Sequence, residues 1–587
     1  MYIALVQFNP TTAALRKNAE DALSIIDELA CLPYPPDLVV FPAFALTGAN
    51  VAGLVYHDAF AAECVDVTRE FVTRAKLPTL FGTLIPRPLE DQFSFICEPE
   101  AVFCHDGLGG ALGFVDIYNQ WHHDHYASSI DFEIDGHTIT VLLDDYPDNE
   151  DDFSHSDVVV MMLAKEYEGT SSLFTSSTQI RYLRSIAQQN RSWLLVSNLT
   201  GGEDDAVFDG ASIVFDNKGR IIDSADAFAE QVLVVNLELS GKVSEKEQAD
   251  EDLELTQKKD MKVVKPLLPY EADWGALTLS LRDYVYKNGF EDVILGLSGG
   301  IDSACVAALA VDTLGAEHVQ GILMPGPYTS QNSIDDALLL SELLGINTST
   351  IPITEAYALI KRGGDFALGQ EASSLAQENL QARLRMVYLM YLANHHGWLL
   401  LNTGNKSENA VGYSTLYGDT AGSFAPLGNY YKTDIYGLIA WRNSKSRIIP
   451  QTIVDKEPSA ELREGQKDTD SLPSYDVLDR ILRLHIEDDY GVDQILETAY
   501  QQSGEPSLDP SVVISVLEMV KRAEFKRRQE PLSPALGTVA LNSNRAWPIT
   551  NGFSDYDRRL IARADLYDFL NTIYKTDGPG ATKILEN

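Results

Sequence analysis

The feature that most constrains the fold is the run at 293–303, Val-Ile-Leu-Gly-Leu-Ser-Gly-Gly-Ile-Asp-Ser. Its apolar first half has the composition of a buried strand, and an apolar helix-forming stretch, Ala304 to Leu314, follows it. Glycines let the backbone approach an anion closely, and a helix N-terminus supplies unpaired N–H groups. Ser298 and Ser303 add hydroxyl donors, and Asp302 adds a carboxylate that can hold Mg²⁺ on a phosphate. The run therefore predicts a phosphate-binding strand, loop and helix.

This loop is not the common Gly-x4-Gly-Lys-Ser/Thr phosphate loop, because it lacks the lysine that reaches the β- and γ-phosphates. Its serine-rich form resembles the pyrophosphate loop of ATP pyrophosphatases, which split ATP into AMP and pyrophosphate. The alternative is an ordinary glycine-rich turn. The correct order of strand, loop and helix argues against that alternative.

Composition narrows the class of protein. A length of 587 residues predicts two large domains. No run of about 18 apolar residues predicts a membrane span, and the first residues form a strand pattern rather than a signal peptide. The five cysteines lack metal-ligand spacing, so we expect a cytoplasmic protein with reduced thiols and no membrane partner. The net charge of −41 argues against nucleic-acid binding, so local cations and Mg²⁺ must meet any polyphosphate substrate.

Strands and helices alternate along the chain, which predicts an α/β protein. We expect a first domain at 1–240, a charged linker without aromatic residues at 241–262, and a second domain at 263–587. The second domain has the pattern of a doubly wound parallel sheet, in which ligands bind beyond the carboxyl ends of the strands. The strands predicted in the first domain are Tyr2–Gln7, Leu38–Phe41, Thr79–Thr83, Thr138–Leu143, Val158–Leu163, Trp193–Ser197, Ser212–Phe215 and Gln231–Asn236, with helices at Ala13–Leu29 and Ser176–Asn190. In the second domain we predict helices Tyr270–Asn288, Ala304–Leu314 and Ser330–Leu344 and strands Val293–Leu297, Val319–Met324 and Asn347–Pro352.

Several further segments of the second domain are unusually polar for their positions. Each alone is compatible with a solvated helix face, but together they favour a binding site beside the phosphate loop. These segments are Glu378–Arg385, Asn402–Glu408, Gly412–Asp419, Tyr431–Asp434, Pro458–Leu462 and Glu524–Gln529.

With these motifs in this order, the chain resembles the long, two-domain, glutamine-dependent NAD(+) synthetases over nearly its whole length. The resemblance implies an N-terminal nitrilase-like α-β-β-α sandwich and a C-terminal ATP pyrophosphatase domain. It also implies a reaction. The carboxylate of deamido-NAD (nicotinic acid adenine dinucleotide) attacks the α-phosphorus of ATP, pyrophosphate leaves, and ammonia converts the acyl adenylate into NAD and AMP.

The resemblance assigns roles to individual residues. Asp302, Glu408 and Lys432 are the expected catalytic residues, and the Mg²⁺ ligands are Asp302 and Glu408, with Ser459 as a third candidate. ATP is expected to contact Gly296, Leu297, Ser298, Gly299, Gly300, Ile301, Asp302 and Ser303, with Met324 and Thr403 near its adenosine. Deamido-NAD is expected to contact Asn379, Arg383, Glu408, Tyr413, Ser414, Thr415, Leu416, Lys432 and Lys526.

The first domain departs from the family pattern. Its relatives make ammonia from glutamine with a glutamate, a lysine and a cysteine, but here Ala43 stands at the glutamate position and Leu143 at the cysteine position. No lysine occurs from Leu77 to Ala164, where the third member belongs. We therefore predict a retained fold without glutaminase chemistry, and ammonia as the direct nitrogen donor. The alternative is a diverged, working glutamine-hydrolysing site in which Cys97 or Cys104 takes over.

The sequence is also compatible with other assemblies and functions. The resemblance suggests a homo-oligomer, and a separate glutaminase subunit could supply the ammonia. A scaffold without chemistry in either domain is a further alternative. The cluster His122, His123, Asp124 and His125 contains metal-ligating side chains, although consecutive residues rarely converge on one ion, so a solvated loop is favoured.

Overall fold

The computed structural model describes residues 1–88, 95–105, 110–115, 129–143, 153–169, 177–239, 267–503, 507–537, 539–541 and 543–553. These residues form a first α/β unit, up to residue 239, and a second, from residue 267. The linker predicted at 241–262 lies outside the described residues, so the domain boundaries stay a prediction. No helix in the described ranges combines the length and the hydropathy that crossing a membrane requires.

The first unit is built from strands and a few helices. Its strands are β1 (Tyr2–Gln7), β2 (Leu38–Val40), β3 (Thr79–Pro88), β4 (Phe95–His105), β5 (Gly110–Val115), β6 (Ser129–Ile134), β7 (His137–Leu143), β8 (Val158–Leu163), β9 (Trp193–Asn198), β10 (Thr200–Glu203), β11 (Ala206–Asp209), β12 (Ile213–Phe215), β13 (Ile221–Ser224) and β14 (Gln231–Asn236). Its α-helices, within the described residues, are α1 (Leu15–Ala30), α2 (Asp58–Arg74) and α3 (Ser177–Asn190).

Two six-stranded sheets of the first unit pack face to face. Their strand orders are β14-β1-β2-β3-β4-β5 and β13-β12-β9-β8-β7-β6. Ile3 of β1 meets Val141 and Val160 of the opposite sheet in one buried cluster. Ala4 points the other way, into a cluster with Leu23 of α1 and α2 residues. On the outer face of the other sheet, Leu183 of α3 packs with Val196 of β9. The order of layers confirms the predicted α-β-β-α sandwich.

The sequence patterns missed part of this unit. Strand β3 is twice the predicted length, because its second half also pairs with β4, as far as the pair of Pro88 and Phe95. Strands β4, β5, β6, β10, β11 and β13 were not predicted. Helix α1 begins at Leu15 rather than at Ala13, since Ala13 has a positive φ of 59°.

The second unit contains a small sheet and many helices. Its strands are β15 (Val293–Gly296), β16 (Val319–Leu323), β17 (Asn347–Thr350) and β18 (Leu399–Leu400). Its α-helices, within the described residues, are α4 (Pro269–Lys287), α5 (Ile301–Leu314), α6 (Gln331–Leu344), α7 (Thr354–Leu368), α8 (Ser374–His396), α9 (Lys406–Val411), α10 (Lys432–Lys445), α11 (Gln451–Asp455), α12 (Tyr475–Ile486), α13 (Val492–Ser503) and α14 (Pro510–Arg527).

The sheet of the second unit is parallel, with the order β17-β16-β15-β18, which confirms the doubly wound prediction. Val293 and Leu295 of β15 pack into the cluster on one face, and Ile294 packs into the cluster on the other. The chain runs from β15 to β16 and β17 on one side and places β18 on the other side. The carboxyl end of β15 therefore lies at the switch point of the sheet, where such folds bind ligands.

The phosphate loop leaves β15 at this switch point. Helix α5 begins at Ile301, three residues before the predicted start, so Asp302 and Ser303 lie in its first turn. Gly299 has a φ of +75°, and a Cβ atom there would lie 2.2 Å from the carbonyl oxygen of Ser333. The loop thus requires glycine at this position, both for its backbone conformation and for its contact with α6.

We expect Gly299→Ala to lower the free energy of unfolding by more than about 2 kcal/mol, since it combines a strained backbone with a steric clash. Gly289→Ala is the matched control. Gly289 has a φ of +77° but open space around its added methyl group, so it should cost only the strain of about 1 kcal/mol. Chemical denaturation of both variants measures the difference, and equal losses would contradict the packing role of Gly299.

Candidate active site

The phosphate loop presents donors at the N-terminus of α5. The Ser298 hydroxyl oxygen accepts a hydrogen bond from the backbone N–H of Gly300 at 3.2 Å and lies 3.0 Å from the Ser303 hydroxyl. The Ser303 hydroxyl also donates to the Gly300 carbonyl at 3.1 Å. No side chain caps α5 at Gly300. The N–H groups of its first turn are therefore available to an anion.

Three side chains predicted to be catalytic meet beside this loop. The Lys432 Nζ atom lies 2.6 Å from an Asp302 oxygen and 3.2 Å from a Glu408 oxygen. Lys432 is the first residue of α10, and it is buried. The second Asp302 oxygen accepts a hydrogen bond from the Asn405 amide at 3.0 Å. Asn405 caps α9 and so ties the helix that carries Glu408 to the phosphate loop.

Burial and neighbouring charges both shift the pKa values of Glu408 and Lys432. Burial raises the pKa of Glu408 to about 7, and the nearby carboxylates of Asp302 and Asp468 add to the rise while Lys432 opposes it. Burial alone lowers the pKa of Lys432, but Asp302 and Glu408 outweigh it and raise that pKa above its ordinary value. Lys432 therefore stays charged and provides the positive charge that these partly buried carboxylates need.

The same carboxylates suit a hard divalent cation. Oxygens of Asp302 and Glu408 both touch one ammonium nitrogen, so they lie close enough to share one ion. Mg²⁺ prefers oxygen ligands, and it is usually held by one or two carboxylates together with phosphate oxygens and water. No group of three or more His, Cys, Asp or Glu side chains is placed to hold a metal in the part of the chain that the structure describes. A cation between these two carboxylates would therefore depend on a phosphate substrate for other ligands.

Asp468 and Tyr475 complete the charged cluster, and the sequence patterns did not single them out. The Tyr475 hydroxyl donates to Asp468 at 2.9 Å and lies 3.4 Å from Glu408. The Tyr413 hydroxyl donates to the other Asp468 oxygen at 3.2 Å. Lys432 lies over the Tyr475 ring, with 5.2 Å between its Nζ atom and the ring centroid. The pair is not marked by any local motif, since Asp468 and Tyr475 gain their role only from tertiary packing.

The residues predicted to contact deamido-NAD lie on one side of the cluster. Lys526 donates to the carbonyl oxygens of Gly412 and Ser414, both at 2.7 Å, and so holds the segment after α9 against α14. The Thr415 hydroxyl donates to Asn379 at 2.9 Å. Arg383 donates to the Leu416 carbonyl at 3.0 Å on the exposed edge of this side. Their contact with a ligand stays a prediction.

The loop at 456–462 closes the opposite side. Lys456 donates to the Gly299 carbonyl at 2.9 Å, and the Glu461 carboxylate accepts from Ser330 and Ser333 at 2.8 Å. The Ser459 hydroxyl instead donates to the Gln466 carbonyl at 2.6 Å. Its predicted role as a Mg²⁺ ligand stays untested, and its hydroxyl proton already has an acceptor.

These groups surround one cavity of about 720 Å³. The phosphate-loop residues, the charged trio, Met324, Thr403, Asn379, Tyr413, Ser414, Thr415, Ser459 and Lys526 all line it, whereas Arg383 and Leu416 do not. The volume is within the range of small-molecule and cofactor sites. Eighteen of the twenty predicted positions, separated by up to 230 residues in sequence, therefore meet at a single pocket.

The first unit presents no comparable group at the predicted glutaminase positions. Ala43 and Leu143 both belong to the apolar cluster between the two sheets, and both are buried. Cys104 lies in the other cluster, beneath α1 and α2, and burial raises the pKa of its thiol to about 11. Cys104 thus lies on the opposite face of the sheet from Ala43 and Leu143, and its thiol is too weakly acidic to be a reactive nucleophile. The side chain of Cys97 and the cluster His122, His123, Asp124 and His125 lie outside the described residues.

Known proteins resemble this chain over most of its length. The family profile of NAD synthase matches residues 273–530. A glutamine-dependent NAD(+) synthetase of Aquifex aeolicus is 34% identical over 585 residues, which cover 94% of this chain and 99% of that protein. The structure of glutamine-dependent NAD(+) synthetase from Acinetobacter baumannii in complex with ADP has a TM-score of 0.65 and 29% identity, and the match covers 94% of this chain and 99% of that chain. The crystal structure of a glutamine-dependent NAD(+) synthetase from Cytophaga hutchinsonii has a TM-score of 0.74 and 18% identity, and the match covers 94% of this chain and 98% of that chain. At this identity the likeness supports the fold alone.

We expect Lys432→Met to leave the carboxylates of Asp302 and Glu408 without their shared positive charge. Loss of one partner from a buried ion pair should destabilise the metal-free protein by about 3–5 kcal/mol. Since Mg²⁺ can replace the lost charge, adding MgCl₂ should raise the melting temperature of this variant more than that of the unchanged protein.

The matched control is Lys361→Met. Lys361 also bridges two carboxylates, Asp365 and Glu371, each at 2.8 Å, but at the surface. Melting curves in MgCl₂ and in EDTA should therefore show no added Mg²⁺ effect for this variant. An Mg²⁺ shift in Lys432→Met no larger than in the unchanged protein would contradict the shared-cation geometry.

Proposed function

The chain belongs to the glutamine-dependent NAD(+) synthetase family and is a carbon–nitrogen ligase that makes NAD(+), and we propose that it joins ammonia directly to deamido-NAD through an acyl adenylate. The proposal rests on one observation above the others. The Asp302, Lys432 and Glu408 cluster lies at the mouth of a serine-glycine phosphate loop, inside the single cavity described above. That combination of donors, cation and carboxylates suits the transfer of an adenylyl group from ATP.

The residues of the site would have distinct roles in adenylate formation. The loop N–H groups and the hydroxyls of Ser298 and Ser303 would bind the phosphates of ATP. Lys432 would supply fixed positive charge where negative charge develops at the α-phosphorus and on the leaving pyrophosphate. Asp302 and Glu408 would hold Mg²⁺, which neutralises phosphate charge when bound. The A. baumannii relative, whose structure holds ADP, supports nucleotide binding at an equivalent fold.

The nitrogen source is the finer part of the proposal. A leucine side chain has no lone pair with which to attack an amide, and Ala43 offers no carboxylate to move a proton. Both side chains are part of the apolar cluster between the two sheets. Positions 43 and 143 therefore supply neither the nucleophile nor the proton carrier of the family's glutaminase, which supports ammonia as the donor.

The names of the relatives favour the alternative. The A. aeolicus protein is a glutamine-dependent enzyme and is similar along the whole chain. If this chain shares that property, ammonia must come from a site other than Leu143, or from a separate glutaminase subunit bound to the first unit. The choice between these sources is a question for kinetics.

We also propose that two copies of the chain associate through α7 and α8. These helices expose large apolar side chains, among them Phe366, which is 89% exposed, and Val387, which is 64% exposed. Asn379, Arg383, Val387 and Tyr391 follow one i, i+4 ridge of α8. A second copy packed on this ridge would therefore lie beside the residues expected to contact deamido-NAD.

The donor prediction compares ammonium with glutamine at matched concentrations, with ATP, Mg²⁺ and deamido-NAD present. We expect NAD(+) and AMP to form with ammonium, and turnover with glutamine to be slower by at least about 100-fold, because Ala43 and Leu143 carry no catalytic group and a triad works as a unit. For the same reason, Leu143→Cys alone should not create glutamine turnover.

Efficient turnover with glutamine would overturn the ammonia proposal and establish the alternative. Failure of the protein to form AMP with either donor would instead favour a scaffold without chemistry. Co-purification of a glutaminase that restores glutamine use would identify a partner subunit and keep ammonia as the direct donor.

The association prediction uses Phe366→Glu. A charge placed in the middle of an apolar contact should convert a homodimer into monomers, which light scattering during size-exclusion chromatography measures. Asp335→Lys, a charge change on an exposed part of α6, is the control and should leave the mass unchanged. A monomeric unchanged protein, or a variant with unaltered mass, would contradict this interface.

A further inference from the structure

Asp273 joins two phenols that come from different units of the protein. Its Oδ1 atom accepts a hydrogen bond from Tyr167 at 2.8 Å, and its Oδ2 atom accepts one from Tyr430, also at 2.8 Å. Tyr167 belongs to the first unit, Asp273 lies near the start of α4, and Tyr430 lies just before α10. We call this arrangement the phenol bridge.

On one side the bridge is anchored in the first unit. Tyr167 is 1% exposed, and its backbone N–H donates to the Val207 carbonyl at 2.6 Å. Its ring meets Phe228 edge to face at a centroid distance of 5.4 Å. Ala272 and Ala276 of α4 pack into the same buried cluster. The Tyr167 hydroxyl is therefore held in a fixed position.

On the other side the bridge reaches the candidate catalytic cluster. The Tyr430 carbonyl accepts a hydrogen bond from the backbone N–H of Lys406 at 3.0 Å, at the start of the helix that carries Glu408. Two residues after Tyr430, the backbone N–H of Lys432 donates to the Ser407 hydroxyl at 2.9 Å. The segments that carry Glu408 and Lys432 are thus bonded to each other at Tyr430.

The protonation states of the three groups maintain both hydrogen bonds of the phenol bridge. Burial raises the pKa of the Tyr167 and Tyr430 phenols, and the Asp273 carboxylate between them raises it further. Both phenols therefore remain protonated and act as donors, one to each carboxylate oxygen. A carboxylate acceptor makes these hydrogen bonds stronger than bonds between neutral groups.

We propose that Asp273 is a positioning residue for adenylate formation: the phenol bridge fixes Tyr430, and through it Lys432 and Glu408, against the first unit. This inference rests on the proposed function of the second unit. It gives the first unit a role in the rate of the reaction that needs no glutaminase chemistry. The first unit acts as a rigid support to which the catalytic segment is attached by one carboxylate.

A second set of interface contacts provides a comparison. Lys287, at the far end of α4, donates to Asn9, Pro10 and Gly202 of the first unit at 2.8, 2.8 and 2.9 Å. These contacts hold the two units together but do not touch the segment before α10. Interface stability and catalytic positioning can therefore be separated by mutation.

The test is the exchange of labelled pyrophosphate into ATP in the presence of deamido-NAD and Mg²⁺ and without a nitrogen donor, which reports adenylate formation alone. We expect Tyr167→Phe to slow exchange about three- to tenfold, the effect of one lost hydrogen bond. Asp273→Leu should slow it at least as much. The double variant should be no slower than Asp273→Leu, because the bridge is already broken. Asp273→Asn, which keeps one acceptor oxygen, should recover part of the rate.

Controls separate this role from general stability. Tyr286→Phe removes a hydroxyl from an exposed position of α4 and should leave exchange unchanged. Lys287→Met should lower the melting temperature more than Tyr167→Phe does, yet slow exchange less. The proposal is overturned if Tyr167→Phe exchanges within twofold of the unchanged protein, if the two bridge variants add independently, or if Lys287→Met slows exchange equally. Absence of exchange in the unchanged protein would instead refute the proposed function.

Discussion

The candidate active site depends on one buried lysine that two partly buried carboxylates share. Lys432 offsets the charge of Asp302 and Glu408 and so allows both to face the phosphate loop in a buried site. Without a cation at this point, the first turn of α5 and helix α9 would carry negative charges that repel each other and any polyphosphate. The fixed ammonium therefore connects the stability of the fold with its suitability for ATP.

Helix α4 links this site to the rest of the protein. One of its faces packs into the core of the second unit, through Leu277 and Leu281, and another packs against the first unit, through Ala272 and Ala276. Asp273 and Lys287 add polar contacts at its two ends. The first unit can thus matter to the reaction apart from any glutaminase chemistry, because α4 joins it to the segment that carries Lys432.

The sequence allowed the local features of this protein to be predicted but not its long-range pairs. The phosphate loop, the parallel sheet and the residues that line the cavity follow from motifs in which the chemistry and the backbone requirement coincide, as at Gly299. Asp468 with Tyr475, and Asp273 with Tyr167 and Tyr430, carry no such mark. The last two pairs are separated by 106 and 157 residues, and only the packed structure shows them. Short strands such as β10 and β11 were missed for a related reason, since they are stabilised by each other and by α4 rather than by their own pattern.

The central claim is that this site transfers the adenylyl group of ATP to a carboxylate. It is tested most directly with deamido-NAD labelled with oxygen-18 in its carboxylate, followed by mass spectrometry of the nucleotide products. Attack of that carboxylate on the α-phosphorus, followed by amidation, predicts one labelled oxygen in AMP and none in pyrophosphate. Unlabelled AMP, or label in inorganic phosphate beside ADP, would contradict the account.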